Sequence, residues 1–149
     1  MSEGKNPVTD VQSVVVRVTH HIDFKRWPEL RALYSTEVHT DYTSLFGGEP
    51  LKQSGDALIE SWRRALARVT TQHQLGPVDV RLDGARAQAF CQVRALHYAQ
   101  GAPGGEYWEV LGHYTFELVH SEDGWRIDVM KLATFLQTGN TKILAESAR

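Results

Sequence analysis

The chain has 149 residues, of which 42% are hydrophobic and 23% charged, and a formal net charge of -2. A chain of that length buries about two-thirds of its unfolded surface around one core, and the composition is that of an ordinary globular protein, which excludes a disordered or fibrous class. Sixteen Lys plus Arg stand against eighteen Asp plus Glu with no basic block, so no nucleic-acid partner is expected. The longest apolar runs, such as Val14-Val15-Val16, fall far short of the ~18 residues that span a membrane. Residues 1–6 do not read as a signal peptide, and the expected location is cytoplasmic. Cys91 is the single cysteine, which rules out an internal disulfide and a cysteine-rich zinc site. It lies in a run of small residues and is expected to be an inert packing group.

No repeat, linker or low-complexity segment divides the sequence, so one domain over residues 1–149 is expected, with an ordered core at about residues 9–140 between short tails. Val11, Val14, Val15, Val18 and Ile22 recur at i, i+3, i+4, i+7 and i+11 behind Thr9 or Asp10. This spacing predicts a first helix capped there and ending at Thr19-His20-His21-Ile22-Asp23. A short second helix is expected over residues 27–34, with Pro28 in its first turn, where a missing N–H matters least. Residues 37–45 alternate around Val38, Thr40 and Tyr42 and lead to Gly47-Gly48, the pattern of a strand entering a turn. A third helix is expected after Ser54, with Asp56 in its first turn and Leu58, Ile59, Trp62, Leu66 and Val69 on its buried stripe. The rest reads as an antiparallel meander. Its strands are residues 73–82, 85–100, 106–120 and 125–136, with turns at Asp83-Gly84 and Pro103-Gly104-Gly105. Helices first and sheet second predict an α+β fold with the helices on one face of a bent sheet.

Along residues 85–97 the odd positions are Ala85, Ala87, Ala89, Cys91, Val93, Ala95 and His97, whereas the even positions include Arg86, Gln88, Gln92 and Arg94. The odd face therefore points inward. His97 is the one ionisable group on it, and the alanines leave space beside it, the pattern of a cavity containing a histidine. A histidine hydrogen-bonded within the core is the other reading. His73 opens the preceding strand. Pairing about Asp83-Gly84 puts it opposite residue 94, within reach of His97 by a diagonal or through a bulge. Asp23 ends the first helix, where a carboxylate meets the negative end of the helix dipole. It is either a solvated turn residue or a carboxylate beside an imidazole, fixing the tautomer and raising basicity. Tyr42 shares the inward parity of Val38 and is either a proton donor that holds a carbonyl or a core tyrosine with a polar tip. His20, His21, His39 and His120 show no inward pattern, and His113 faces away from the side of Tyr114. These five are expected in solvent or at an interface.

Ile22-Asp23-Phe24-Lys25-Arg26-Trp27, Asp41-Tyr42-Thr43-Ser44, Thr71-Gln72-His73, Arg94-Ala95-Leu96-His97, Gly112-His113-Tyr114 and Asp123-Gly124-Trp125-Arg126-Ile127 follow one another in a recognisable order and spacing. Over residues 11–140 the chain resembles the SnoaL-like branch of the nuclear transport factor 2-like superfamily, and within it the scytalone dehydratase-type proteins. The resemblance implies a cone of strongly curved, mixed or antiparallel sheet, closed by three helices from the N-terminal half, with a pocket at the wide end. It implies acid–base catalysis by Asp23, His73 and His97, with Tyr42 orienting a water or a substrate carbonyl. It also implies a homo-oligomer, a dimer or trimer, and the outward Tyr107 and His113 with the exposed sheet face fit a dimer. The chain departs from the dehydratase pattern in having Ile22 where that pattern has a tyrosine and in lacking the long tail that lids the pocket. Both differences bear on the substrate more than on the chemistry.

The expected function is a lyase that needs neither metal nor organic cofactor and dehydrates a small apolar or aromatic cyclic hydroxy-ketone, of polyketide or steroid-like type. His97 or His73, polarised by Asp23, removes the proton α to the carbonyl; the other histidine protonates the departing hydroxyl and Tyr42 steadies the enolate oxygen. Two histidines and a carboxylate also make a known metal-ligand type, which keeps a non-haem iron site open. A related cyclase, isomerase or hydrolase would use the same kind of pocket, as would a non-catalytic module that binds an apolar ligand.

Overall fold

In the computed structural model, which describes residues 6–147, the elements alternate at first and then settle into long strands. Helix α1 (Pro7–Asp23) is followed by α2 (Trp27–Arg31), β1 (Tyr34–Asp41), α3 (Thr43–Phe46), β2 (Leu51–Ser54) and α4 (Gly55–Ala65). Strands β3 (Thr70–Leu75), β4 (Asp79–Asp83), β5 (Arg86–Tyr98), β6 (Tyr107–Ser121) and β7 (Gly124–Gly139) come next, and α5 (Ile143–Ser147) ends the fold. Residues 1–5 and 148–149, the outer parts of the expected tails, lie outside the described residues. Both ends of the ordered core extend beyond residues 9–140, because α1 starts at Pro7 and α5 follows β7.

The hydrophobic period locates α1 correctly, but its cap is Asn6, not Thr9 or Asp10. The Asn6 side chain accepts from Val8 N at 3.1 Å, and Pro7, which lacks an N–H to satisfy, occupies the first turn. Val11, Val14, Val15, Val18 and Ile22 are all buried against the sheet. Helix α2 is shorter than expected, since the chain turns extended at Tyr34, which is buried as the first residue of β1. Strand β1 accordingly ends at Asp41 instead of continuing to residue 45. Asp41 Oδ1 accepts from Thr43 N and Thr43 Oγ1, and that local cap diverts the chain into α3. Ser54 caps α4 through Ala57 N at 3.1 Å.

The seven strands form a curved, unclosed sheet in the order β2-β1-β7-β6-β5-β3, with β4 also paired to β5. All pairings are antiparallel except β1 with β7, which is parallel, so the sheet is mixed. The expected strand over residues 73–82 is two strands laid end to end along β5, interrupted around Pro77, which has no N–H to give to a ladder. Asp83 pairs with Arg86 around a Gly84-Ala85 turn, with Gly84 at φ 57, and the break near Pro77 shifts the register again. His73 therefore faces Ala95, one residue on from the expected position 94. Register shifts between Leu111 and Gly112 and between Glu117 and Leu118 mark where β6 and β7 bend. A Cβ at Gly112 would meet the Ala133 carbonyl, so only glycine allows this approach. The bend wraps the inner face around α1 and α4, and the buried core lies between them.

Candidate active site

The inward alternation of β5 is as the sequence indicates. Ala87, Ala89, Cys91, Val93, Ala95 and His97 are all buried, whereas Arg86, Gln88, Phe90, Gln92 and Arg94 are exposed. Small side chains on this wall leave a cavity of about 100 Å³ beneath α1 and α4. His73, His97, Tyr42 and Tyr114 line it, together with Trp62 and Trp108 among a mainly apolar remainder. Cys91 is buried in the same wall, and burial pushes its thiol up to about 11, so it stays protonated as an inert packing group.

Asp23 is not a solvated turn residue. Its side chain is 15% exposed, and three bonds from β3 converge on it. Thr71 Oγ1 donates to Oδ1 at 2.8 Å, the backbone N–H of His73 donates to Oδ2 at 2.9 Å, and His73 Nδ1 lies 2.6 Å from Oδ1. These donors offset the unfavourable position at the end of α1. Because a carboxylate only accepts, Nδ1 of His73 is the nitrogen that carries a proton toward Asp23, and Nε2 takes no part in that bond.

His97 stands two residues beyond the register partner of His73, and the two rings meet edge to face with centroids 6.4 Å apart. The diagonal approach expected from the sequence is the one observed. His97 has no carboxylate. Its Nδ1 is 3.2 Å from the carbonyl oxygen of Trp108, which can only accept, so this nitrogen also donates into the protein. Burial, reinforced by the neighbouring His73, pushes His97 down to about 4 and keeps it neutral at physiological pH. The two histidines are thus held alike at Nδ1 but differ in their partner, a carboxylate for one and a neutral carbonyl for the other.

Tyr42 lies just past the end of β1, in the residue that precedes α3. It nevertheless lines the cavity, in edge-to-face contact with Trp62 at 6.5 Å. Tyr114, on the inward face of β6 opposite Cys91, brings a second hydroxyl that the sequence reading did not single out. The signal was present, because Trp108, Val110, Tyr114, Phe116 and Leu118 alternate as buried residues and Tyr114 alone among them bears a hydroxyl. Burial holds both tyrosines well above their ordinary range, so they remain protonated donors. Ile22, where the dehydratase pattern has tyrosine, supplies an apolar wall, and Leu144 of α5 covers part of the cavity. The remaining histidines take no part in this cluster. His20, His39 and His120 are exposed, while His21 and His113 are half-buried.

Asp23 spends its oxygens on Thr71 and His73, and among the described residues no three His, Cys, Asp or Glu side chains gather as a metal-ligand set. The 2-His-1-carboxylate arrangement left open by the sequence is therefore not formed. No helix of the described residues is long and apolar enough to cross a membrane.

The model of the SnoaL-like domain matches residues 7–131. Among solved structures, the Kfla4162 protein of Kribbella flavida is 25% identical, with 92% of this chain and 95% of that chain covered and a TM-score of 0.86. A proposed scytalone dehydratase of Novosphingobium aromaticivorans is 16% identical, with 89% and 87% covered and a TM-score of 0.77. A type 2 hexachlorocyclohexane dehydrochlorinase is 12% identical, with 89% and 87% covered and a TM-score of 0.74. At such identities the latter two establish a shared fold, and the fold's neighbours include proteins named for elimination chemistry. No curated protein matches the sequence. With the family's pattern extending over most of its length, the chain belongs to the SnoaL-like domain family.

Proposed function

We propose that this protein is a lyase that eliminates water from a small, neutral cyclic hydroxy-ketone, with the Asp23–His73 pair as the base and no metal or organic cofactor. The observation that carries this reading is the 2.6 Å contact between Asp23 Oδ1 and His73 Nδ1 on the wall of an apolar cavity. The carboxylate orients the ring and stands beside the imidazolium that forms when Nε2 takes the proton α to the carbonyl. The C–H electrons pass to the carbonyl oxygen as an enolate, which a tyrosine hydroxyl holds. The enolate re-forms the carbonyl and expels the β-hydroxyl, which leaves as water with the proton returned by His73, and an enone remains.

With His73 as the base, His97 takes neither of the two parts, base or proton donor, that the sequence left open between the histidines. Its neutral Nε2 has no proton to give, so it accepts a hydrogen bond from the departing hydroxyl and turns the oxygen toward His73. Two imidazole rings anchored at Nδ1 and two protonated tyrosines complement a ligand that carries both a hydroxyl and a carbonyl. A dry cavity of about 150 Å³ accepts benzene. At about 100 Å³ this one is smaller, so a single ring would fill it and extend through its open side, and a steroid-like frame exceeds it much further. The exposed outward aromatics Phe90, Tyr107 and Phe135 support self-association through the outer sheet face, which sedimentation would read as a dimer or larger oligomer.

The test is conversion of 3-hydroxycyclohexanone to cyclohexenone, followed by ultraviolet absorbance above the uncatalysed background. His73→Asn and Asp23→Asn are each expected to lose roughly 10²–10⁴-fold in rate with an unchanged circular dichroism spectrum. Full turnover by a folded His73→Gln/His97→Gln double variant would leave the cavity as a ligand-binding module.

A further inference from the structure

The Asp23 carboxylate is held by three donors that are not equivalent. The ring Nδ1 of His73 lies 2.6 Å from Oδ1, and the backbone N–H of the same residue donates to Oδ2 at 2.9 Å. That N–H is available because β3 is the last strand of the sheet, and a donor on its outer edge has no further strand to bond. One fixed point at Oδ2 leaves the carboxylate free to turn about it. The second fixed point is Thr71, whose Oγ1 donates to Oδ1 at 2.8 Å. Thr71 is 6% exposed and pairs with His97 across the β3–β5 ladder, so the sheet that carries both histidines also sets the direction of this hydroxyl. Its β-branch restricts the side chain further. Without the hydroxyl, Oδ1 keeps only the imidazole as partner, and ring and carboxylate can turn together.

Resting on the reading of Asp23–His73 as the base, we propose that Thr71 is a positioning residue for it: the hydroxyl fixes the plane of the Asp23 carboxylate, and through it the direction in which the His73 ring meets a substrate. Thr71 itself touches no reacting atom. A bond donated to a carboxylate is of the stronger kind, and small displacements of a catalytic group are felt in the rate. Because Thr71 and His73 Nδ1 share Oδ1, the hydroxyl also draws off part of the charge that the imidazole proton faces.

The experiment compares Thr71→Val, which keeps the β-branch and removes the hydroxyl, with Thr71→Ser, which keeps the hydroxyl and removes the methyl. On 3-hydroxycyclohexanone, Thr71→Val is expected to lower kcat by roughly 10–100-fold with KM within about threefold, whereas Thr71→Ser stays within about threefold of wild type in both. The second readout needs no substrate. In nitrogen-15-labelled protein the His73 Nδ1 proton is expected as a downfield resonance, recognised by its loss in Asp23→Asn. Thr71→Val is expected to displace this resonance beyond its width, and Thr71→Ser to leave it in place. Full kcat in Thr71→Val, or an unmoved resonance, overturns the assignment. A Thr71→Ser variant as slow as Thr71→Val also overturns it, because the methyl and its packing then carry the effect. If Thr71→Val does not fold by circular dichroism, Thr71→Ala replaces it with the same expected readings. A wild type that leaves 3-hydroxycyclohexanone unchanged removes the lyase reading, while the resonance still decides whether Thr71 positions the pair. Absence of the resonance from the wild type overturns the Asp23–His73 bond and this assignment together.

Discussion

The two faces of the sheet are made by the same strands and differ in nearly every physical respect. On the inner face, the polar groups of the site are tied to internal partners: Asp23 with Thr71 and His73, His97 with the Trp108 carbonyl, and Tyr34 and Tyr42 with the Met130 sulfur. On the outer face, charges pair between strands in solvent, as Arg94 of β5 does with Glu109 of the adjacent β6 at 3.0 Å and Arg86 of β5 with Asp128 of β7, across β6, at 3.0 Å. Few partners and low dielectric make an inner group expensive to misplace, whereas water replaces an outer partner at once. The candidate site therefore lies on the face where each contact has the larger consequence.

Removing apolar volume from the inner face breaks this comparison most severely. Phe116 is fully buried beside Tyr114, with ring centroids 5.5 Å apart. Phe116→Ala is expected to cost about 3–5 kcal/mol in urea unfolding. A loss below about 1 kcal/mol would mean that the inner wall collapses to fill the space.

Charging the inner face comes next. Unfolded His97 takes up a proton near its ordinary value of 6.5, but the folded residue resists until about 4. Its contribution to stability is fully present above pH 6.5 and is lost as pH falls through that window. At about 1.4 kcal/mol per pH unit the loss approaches about 3 kcal/mol. Urea unfolding of wild type and His97→Gln from pH 7 to pH 4 should diverge by that amount, and parallel curves would show that His97 charges within the fold. The smallest effect belongs to the outer face. Arg94 is 59% exposed, and Arg94→Ala should shift stability by no more than about 1 kcal/mol, an effect that shrinks further in high salt.

Much of this contrast was legible in the sequence because it is periodic. Alternation along β5 assigned Ala87 to Val93 and His97 to one face and the arginines to the other. The valines of α1 marked its buried stripe in the same way. Element ends were less legible, because they depend on single local bonds: the Asn6 cap, the Asp41–Thr43 contact that ends β1, and the break at Pro77. Tyr114 could have been found by extending the alternation to β6, where it is the hydroxyl among apolar inward residues.

What the sequence by itself determined is the content of each face, since side-chain direction follows the helix and strand periods residue by residue. The α+β order, the inward His97 and the buried Cys91 all come from that local rule. Only the tertiary structure decided which of these groups meet. Asp23 and His73 are 50 positions apart and touch because α1 lies across the sheet with its last turn over β3. The parallel pairing of β1 with β7 brings together segments 90 or more residues apart, and Tyr42 reaches the cavity from beyond the strand expected to carry it. Tautomers and proton affinities belong to this second class as well, because a bond donated to a carboxylate or to a carbonyl, and the removal of water around it, exist only once the chain has closed.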